Sequence, residues 1–140
     1  MAQFARPTSD VSIGAWKDYL GAAVDIYESI DEAVEDDSDY VESEITPSSS
    51  LVKFGLGAVT DPTTNDAHTM RYAIGKPAGA GQIDIIVDLV DASGPTVVAT
   101  RTYTDVPGGF TTHVEALTQA EANAIADYSA LEIHFTADAP

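Results

Sequence analysis

A chain of 140 residues, 44% hydrophobic and 21% charged, has the size and composition of a single globular domain that can bury a core. Its 23 Asp and Glu outnumber 6 Lys and Arg, and the net charge of −17 opposes binding to nucleic-acid phosphates or to anionic membranes. Cysteine is absent, which excludes disulfides, thiolate catalysis and cysteine-ligated zinc. We therefore expect an acidic domain that binds neither nucleic acid nor membrane.

The N-terminal segment is mostly small or polar, and Pro7 and Gly14 interrupt any regular hydrophobic pattern. This composition predicts an extended arm over residues 1–19, with one short strand near residues 11–16. The remaining residues, 20–140, are then expected to form the folded β-sandwich domain.

The arm has too few apolar residues to form a core of its own. Because ordering a residue costs about 1–2 kcal/mol, we expect residues 2–13 to be mobile in the free protein and to become ordered on a partner. Phe4, Val11 and Ile13 are spaced so that each could dock in a separate groove of that partner.

The segment 25–44 contains ten acidic residues and no basic one. Apolar residues within 27–31 and 39–45 predict two short strands that flank an acidic loop. Calcium binds clusters of oxygen ligands, but the loop lacks the glycine and the terminal glutamate of an EF-hand. We favour a solvated turn and expect folding to require no metal. The candidate ligands for the alternative, a metal site, are Asp31, Asp36, Asp37 and Asp39.

From residue 51 onward, apolar and polar residues alternate in the manner of half-buried strands. Turns that contain Gly and Pro separate these stretches at short, regular intervals. The predicted strands cover residues 52–58, 70–74, 83–89, 97–103 and 131–135. This pattern predicts an all-β protein with the architecture of a jelly-roll-like antiparallel β-sandwich.

One short helix is predicted near the C-terminus, before the last strand. Thr118 and Glu121 have the spacing of a capping box, in which a threonine hydroxyl and a glutamate carboxylate satisfy free backbone N–H groups. Several alanines follow, and Ile125 is the residue expected to point inward.

No grouping of residues predicts catalysis. His68, His113 and His134 lie in separate strand-like segments, without the spacing of a metal-binding or hydrolase motif. Pairs of carboxylates, which glycoside hydrolysis requires, are expected by chance in a chain with 23 acids. We therefore predict no enzymatic activity, no catalytic residue and no cofactor.

Four aromatic residues of the N-terminal half leave a second interpretation open. They are Trp16, Tyr19, Tyr27 and Tyr40. A carbohydrate-binding sandwich, or a fibre or tail-associated module, would display such rings as a platform. Aromatic rings also close the ends of sandwiches and fill interfaces, and we favour that role.

Short motifs along the chain resemble those of a known family. They are Arg6-Pro7-Thr8-Ser9-Asp10-Val11-Ser12 with Gly14 and Trp16, Ile26-Tyr27 with Ile30-Asp31-Glu32, Asp36-Asp37 with Asp39-Tyr40-Val41, His68-Thr69-Met70-Arg71-Tyr72, and Ala126-Asp127-Tyr128-Ser129 with Leu131, Ile133 and Phe135. Over nearly its full length the chain resembles the jelly-roll capsid decoration, or cement, proteins of tailed phages.

This resemblance implies a structural virion protein on the outer capsid surface. Proteins of the family typically sit there as trimers that clamp neighbouring major capsid subunits, and the family supplies no catalytic residue. The expected partners are therefore the major capsid protein and further copies of the same chain, in a homo-oligomer that we expect to be a trimer.

Apolar residues on a face that should be exposed indicate where a partner binds. Ile86 and Val90 fall on the polar side of a predicted strand, and such a patch favours symmetric assembly. The few cations, especially Arg6 and Lys17, are expected near the contact. The complete predicted interface consists of Phe4, Arg6, Val11, Ile13, Trp16, Lys17, Ile86 and Val90.

Overall fold

The computed structural model describes residues 2–140, which form an all-β protein with one short α-helix near the C-terminus. The strands are β1 (Pro7–Ser12), β2 (Lys17–Asp18), β3 (Val41–Glu42), β4 (Ser50–Leu56), β5 (Thr69–Lys76), β6 (Asp84–Asp91), β7 (Thr96–Tyr103), β8 (Gly109–Ala116) and β9 (Leu131–Asp138). A 3-10 turn spans Ile26–Ser29, and helix α1 spans Gln119–Asn123. The predicted fold class is confirmed.

Antiparallel pairing arranges the strands in one five-stranded sheet and two ribbons. The sheet has the order β1-β4-β9-β6-β7, while β5 pairs with β8 and β2 pairs with β3. The six long strands pair as nested hairpins, because β6 pairs with β7, β5 with β8, and β4 with β9. These nested hairpins fold over so that β6 also pairs with β9. The result is the jelly-roll-like sandwich that the sequence predicts.

The core lies between the five-stranded sheet and the β5–β8 ribbon. Val52 and Phe54 of β4 and Val87 of β6 are fully buried, as the alternation of their strands predicts. The ring of Phe135 on β9 meets Phe54 at 6.4 Å and Tyr72 of β5 at 6.0 Å between centroids, both edge-on. These rings link the sheet to the ribbon across the core.

A network of polar side chains joins helix α1 and the ribbon to β7. Arg101 of β7 forms a bidentate ion pair with Glu121, with both N–O distances at 3.0 Å. Glu121 also caps α1 together with Thr118, so the predicted capping box is confirmed. Tyr103 of β7 donates a hydrogen bond to Glu115 of β8 at 2.9 Å. The short helix is therefore held against β7, the edge strand of the five-stranded sheet.

The N-terminal arm is extended, as predicted, but it is not free. Residues 7–12 form β1 at the edge of the five-stranded sheet, earlier in the chain than the short strand expected there. Asp10 accepts hydrogen bonds from the backbone N–H groups of Ile26 and Tyr27 at 3.0 and 2.9 Å. The expected mobility of residues 2–13 is therefore wrong for this strand, since β4 and the Asp10 carboxylate hold it on its own chain.

Three local predictions differ from the structure. Residues 27–31 do not form a strand, because the 3-10 turn occupies the first part of this stretch, and only Val41–Glu42 pairs within residues 39–45. Strand β8 is not among the predicted strands, since most of its residues are exposed and few of them are apolar. Its pairing with all eight residues of β5, a tertiary interaction, defines it.

The close approach of β5 and β8 depends on a glycine. A Cβ atom at Gly75 would lie 1.8 Å from the carbonyl oxygen and 2.6 Å from the carbonyl carbon of Gly109. Both atoms belong to the backbone, so no rotamer change can relieve the clash. Gly75 therefore sets the spacing of the two strands at this end of the ribbon.

We expect Gly75→Ala to lower the free energy of unfolding by about 1–3 kcal/mol, because the added methyl group must push the two strands apart. Gly94→Ala is the matched control, since a Cβ atom there meets nothing within 4 Å. Chemical denaturation followed by circular dichroism measures both variants. Equal midpoints for the two would contradict this account of the ribbon.

Candidate interaction surface

The side of the five-stranded sheet that faces away from the β5–β8 ribbon is here named the outer face. Its residues alternate with the buried core residues of the same strands. In register across β4, β9, β6 and β7 its rows are Leu51–Thr136–Ile86–Thr102, Lys53–His134–Asp88–Thr100 and Gly55–Glu132–Val90–Val97, and the pair Asp138–Asp84 of β9 and β6 continues the face beyond the first row.

Apolar side chains are exposed on the outer face. Leu51 and Ile86 are each 37% exposed, and Val97 is 58% exposed. Val11 on β1 is 48% exposed and extends the face, since its Cγ2 lies 3.6 Å from the Cβ position of Gly55. Ile86 and Val11, both predicted as interface residues, thus belong to a wider patch of the kind that binds partners.

The outer face also carries a cation that is available to a partner. Within the described chain, Lys53 forms no salt bridge. The acids on the same face are already engaged. Asp88 accepts a hydrogen bond from the hydroxyl of Thr100 at 2.5 Å, and Glu132 Oε2 lies 2.7 Å from Nε2 of His134. Asp84 and Asp138 each accept a hydrogen bond from a backbone N–H group at 2.8 Å. The ammonium group of Lys53 can therefore approach an acceptor on another molecule.

Val90 lies on the outer face but is not exposed. It is only 6% exposed, between its cross-strand neighbours Glu132 and Val97. A register shift between Leu89 and Val90 marks a β-bulge in the β6–β7 pair. The prediction that Val90 contacts a partner is wrong because Val90 is buried, and its neighbour Val97 is the exposed residue of this row.

Two other predicted interface residues pack against the core of their own chain. Trp16 is 7% exposed and belongs to the core, so its prediction as an interface residue is wrong. Ile13 is partly buried and packs against the same core, so it does not need a groove on a partner to be covered. Lys17 stays on the surface, where it pairs with Glu42 at 3.5 Å.

The first residues of the arm present an aromatic ring and a cation. Phe4 is 69% exposed, and the guanidinium carbon of Arg6 lies 5.1 Å from the centroid of its ring. Reciprocal hydrogen bonds between Gln3 and the backbone of Thr60, at 2.9 and 2.8 Å, anchor this end. Phe4 is therefore accessible on an anchored segment, with the half-buried Arg6 beside its ring.

The acidic loop does not gather its carboxylates around one point. Among residues 2–140, no group of three or more His, Asp or Glu could hold a metal ion. Glu35 accepts from Thr112 of β8 at 2.5 Å and pairs with Arg71 of β5 at 3.2 Å, which lays the loop against the ribbon. The candidate ligands are thus not assembled into a metal site; they are Asp31, Asp36, Asp37 and Asp39.

Three Asp-x-Ser turns share one geometry, which is not among the sequence-based predictions. They begin at Asp36, Asp91 and Asp127. In each, the aspartate carboxylate accepts hydrogen bonds from both the backbone N–H and the hydroxyl of the serine two residues later. The recurring spacing of Asp and Ser is the signal that could have found these turns.

Asp91 has the most extensive role of these three aspartates. It is 1% exposed, and its Oδ2 also accepts from the backbone N–H groups of Ala126 and Asp127 at 2.7 and 2.9 Å. Hydrogen bonds from the Ser93 hydroxyl and from the backbone N–H groups lower the pKa of Asp91 to about 2, although burial opposes this shift. One carboxylate thus joins the β6–β7 turn to the segment that precedes β9.

Three aromatic rings form a half-exposed cluster beside the β2–β3 ribbon. The centroid of Tyr40 lies 5.8 Å from that of Tyr19 and 5.6 Å from that of Phe110 on β8. Tyr19 and Phe110 are 39% and 40% exposed. Trp16 and Tyr27 do not join this cluster, because Trp16 is buried and Tyr27 packs against the core.

Comparison with known proteins does not assign the chain to a family. No protein-family model, no curated protein and no solved structure matches the sequence. In the part of the chain that the structure describes, no helix has the length and apolar character needed to cross a membrane. The function must therefore be argued from the surfaces themselves.

We expect Asp91→Asn to lower the free energy of unfolding at neutral pH by about 2–4 kcal/mol, because an uncharged amide accepts these hydrogen bonds less well and its NH₂ group faces backbone donors. The folded pKa of Asp91, about 2, lies below the usual aspartate pKa. The ionised carboxylate therefore stabilises the fold above about pH 4, and this contribution is lost as the pH falls towards 2. Thermal melting across this range measures the difference.

Asp37→Asn is the control for the Asp91 substitution. Asp37 is exposed and accepts no hydrogen bond within residues 2–140, so its replacement removes the same charge without removing a contact. Parallel pH profiles for the wild type and Asp91→Asn across the acidic range would show that Asp91 does not stabilise the fold through its charge.

Proposed function

We propose that the protein is a structural virion protein of the capsid decoration, or cement, class. It binds the outer capsid surface as a homo-oligomer, a trimer, and stabilises the contacts between major capsid subunits. The observation that carries the proposal is the outer face, which exposes aliphatic side chains beside the half-buried Lys53 on a chain with a net charge of −17. The motifs that resemble phage decoration proteins add support.

The polar groups of the outer face are already paired within the chain, which leaves its aliphatic side chains as the contact. The face carries Lys53 and four acids, and each acid lies within hydrogen-bond distance of a group of the same chain; the acids are Asp84, Asp88, Glu132 and Asp138. Repulsion between acidic surfaces keeps unassembled copies soluble and apart. Burial of the aliphatic side chains, rather than a low charge, therefore favours contact at the outer face.

The N-terminal end supplies a second contact. Phe4 is exposed beneath the Arg6 guanidinium, so burial of its ring on a neighbouring subunit removes apolar area from water. Each copy then touches more than one subunit, and many modest identical attachments add up over a particle. Reinforcement of the capsid against heat follows from this multiplicity.

Mass spectrometry of purified virions, with the copies of each protein per particle counted, tests whether the protein is a capsid decoration protein. We expect the protein in a copy number proportional to that of the major capsid subunit, and we expect its removal to lower the temperature at which the particles open. Absence from the particles, or presence in only a few copies as in a fibre, would contradict the assignment.

Two valine substitutions test the contact itself. We expect Val97→Asp to reduce occupancy on particles that lack the protein by about tenfold or more, because it places a carboxylate in a buried contact. Val114→Asp is the matched control, since Val114 on β8 is 61% exposed, close to the 58% of Val97, but lies outside the outer face. Occupancy is measured by quantitative binding with both variants shown to be folded. Equal occupancy would rule out the outer face as the contact.

Light scattering during size-exclusion chromatography tests the oligomeric state. We expect a trimer, because apolar patches on a closed symmetric assembly are buried between copies. High salt should favour the trimer, since it screens the repulsion between acidic chains. A monomer at high protein and salt concentration, together with no three-fold arrangement on the particle, would contradict this part of the proposal.

Carbohydrate binding is the second candidate function, and the cluster of Tyr19, Tyr40 and Phe110 is the observation that favours it. Exposed rings can stack on the apolar faces of sugars. Binding on a glycan array that is lost in Phe110→Ala, combined with absence from particles, would favour this function over capsid decoration.

A further inference from the structure

Strand β8 pairs with β5 along one edge and with no other strand of residues 2–140. In an antiparallel pair, alternate residues direct their backbone N–H and C=O groups towards the partner strand, and the residues between them direct these groups away. The backbone N–H of Leu117 donates to the carbonyl of His68 at 2.8 Å, one position beyond the Thr69–Ala116 pair. This bond sets the alternation for the whole strand.

The alternation directs the backbone groups of Phe110, Thr112 and Val114 away from β5. Arg101 supports this direction, because its guanidinium donates to the carbonyl of Ala116, two residues further along, at 3.0 Å. In the described part of the chain, no hydrogen bond engages the backbone N–H or C=O groups of Phe110, Thr112 or Val114. These three residues therefore form an open strand edge, here named the β8 edge.

The β8 edge is accessible to another molecule. Phe110 is 40% exposed, Val114 is 61% exposed, and Thr112 between them is exposed as well. The opposite edge of the ribbon is less accessible, because Ala73 and Gly75 of β5 are half-buried. An unpaired edge is a template for a further strand, whose main-chain groups have the same spacing. The β8 edge therefore fits an extended segment rather than a helix.

A second copy of the chain is a poor source of that segment. Pairing of β8 with itself about a two-fold axis would centre on Thr112, the middle residue of the β8 edge. The Thr112 hydroxyl donates to Glu35 at 2.5 Å, so the Glu35 carboxylates of both copies would meet beside the axis. Like charges directly opposite each other destabilise a strand pair. A segment without Asp or Glu meets no such penalty, and it suits a chain of net charge −17.

We propose that the β8 edge accepts an extended segment of the major capsid protein as an added β-strand. The segment exchanges main-chain hydrogen bonds with Phe110, Thr112 and Val114 and has no acidic residue beside Glu35. Main-chain hydrogen bonds supply the affinity in this mode of recognition. The inference rests on the proposed function for the identity of the partner, and it gives each copy a contact on the ribbon in addition to the outer face.

Backbone amide hydrogen exchange reports directly on the β8 edge. In the free full-length protein, we expect the amides of Phe110, Thr112 and Val114 to exchange at least about tenfold faster than those of Thr111 and His113, which face β5. On particles that otherwise lack the protein, the three edge amides of the bound protein should slow at least about tenfold. Fragmentation mass spectrometry of the quenched protein resolves the exchange at single residues.

A matched pair of substitutions at Val114 separates the backbone from the side chain. We expect Val114→Pro to reduce occupancy on the particles about tenfold or more, because proline has no N–H to donate to the added strand. The N–H of Val114 points away from β5, so proline removes no hydrogen bond from the ribbon. Val114→Ala removes the same side chain but keeps the N–H, and we expect its occupancy to lie within about twofold of the wild type. Val114→Asp also keeps the N–H, so it remains a valid control for Val97→Asp.

Strand addition is overturned if the three edge amides are already protected in the free protein, if they stay unprotected while the wild type is bound, or if Val114→Pro and Val114→Ala occupy the particles equally. The exchange measurement uses the wild type, so it decides the question even if the proline variant does not fold. A wild-type protein that does not bind the particles would contradict the proposed function, and with it the capsid as the source of the strand. Bound protein with unprotected edge amides would contradict the strand addition alone.

Discussion

Capping of backbone N–H groups by aspartate carboxylates is the constraint on which this fold depends. Connections between strands contain N–H groups that have no partner in a sheet, and those that are buried must be satisfied in another way. Asp91 satisfies four donors and joins the β6–β7 turn to the segment before β9. Asp10 holds the edge strand β1 to the 3-10 turn in the same manner. Without these two carboxylates, β1 would keep its pairing with β4 but lose its link to the 3-10 turn, and the β6–β7 turn would lose its link to the segment before β9.

This use of carboxylates explains part of the acidic composition and shapes the surfaces that remain. Asp91 and Asp10 serve the fold, whereas many other acids cover the surface and repel other copies. The outer face differs from the rest of that surface, because exposed aliphatic side chains lie on the same side of the sheet as Lys53. The acidic loop lies elsewhere, since Glu35 attaches it to the β5–β8 ribbon rather than to the five-stranded sheet.

The sequence predicts most strongly those features that depend on local pattern. Alternation identifies β4, β6 and β9 because each strand has one face in the core, and the three-residue spacing of Thr118 and Glu121 identifies the cap of α1. Strand β8, the β-bulge beside Val90 and the attachment of β1 through Asp10 all depend on pairing with distant segments. The residues of the outer face also divide into those that local pattern predicts and those that need the pairing of distant strands. Ile86 and Val11 are recognisable from the sequence, but the inclusion of Lys53 and Val97 requires the register between strands.

Zero-length cross-linking of assembled particles tests most directly whether the outer face contacts the capsid. This chemistry joins a lysine amine to a carboxylate only when the two are in contact, and Lys53 is the amine in the middle row of the outer face. We predict a cross-link between Lys53 and a carboxylate of the major capsid protein, with Lys17 at the β2–β3 ribbon as an internal comparison. Particles that carry the protein with Lys53 unlinked and open to amine-modifying reagents would contradict attachment through this face.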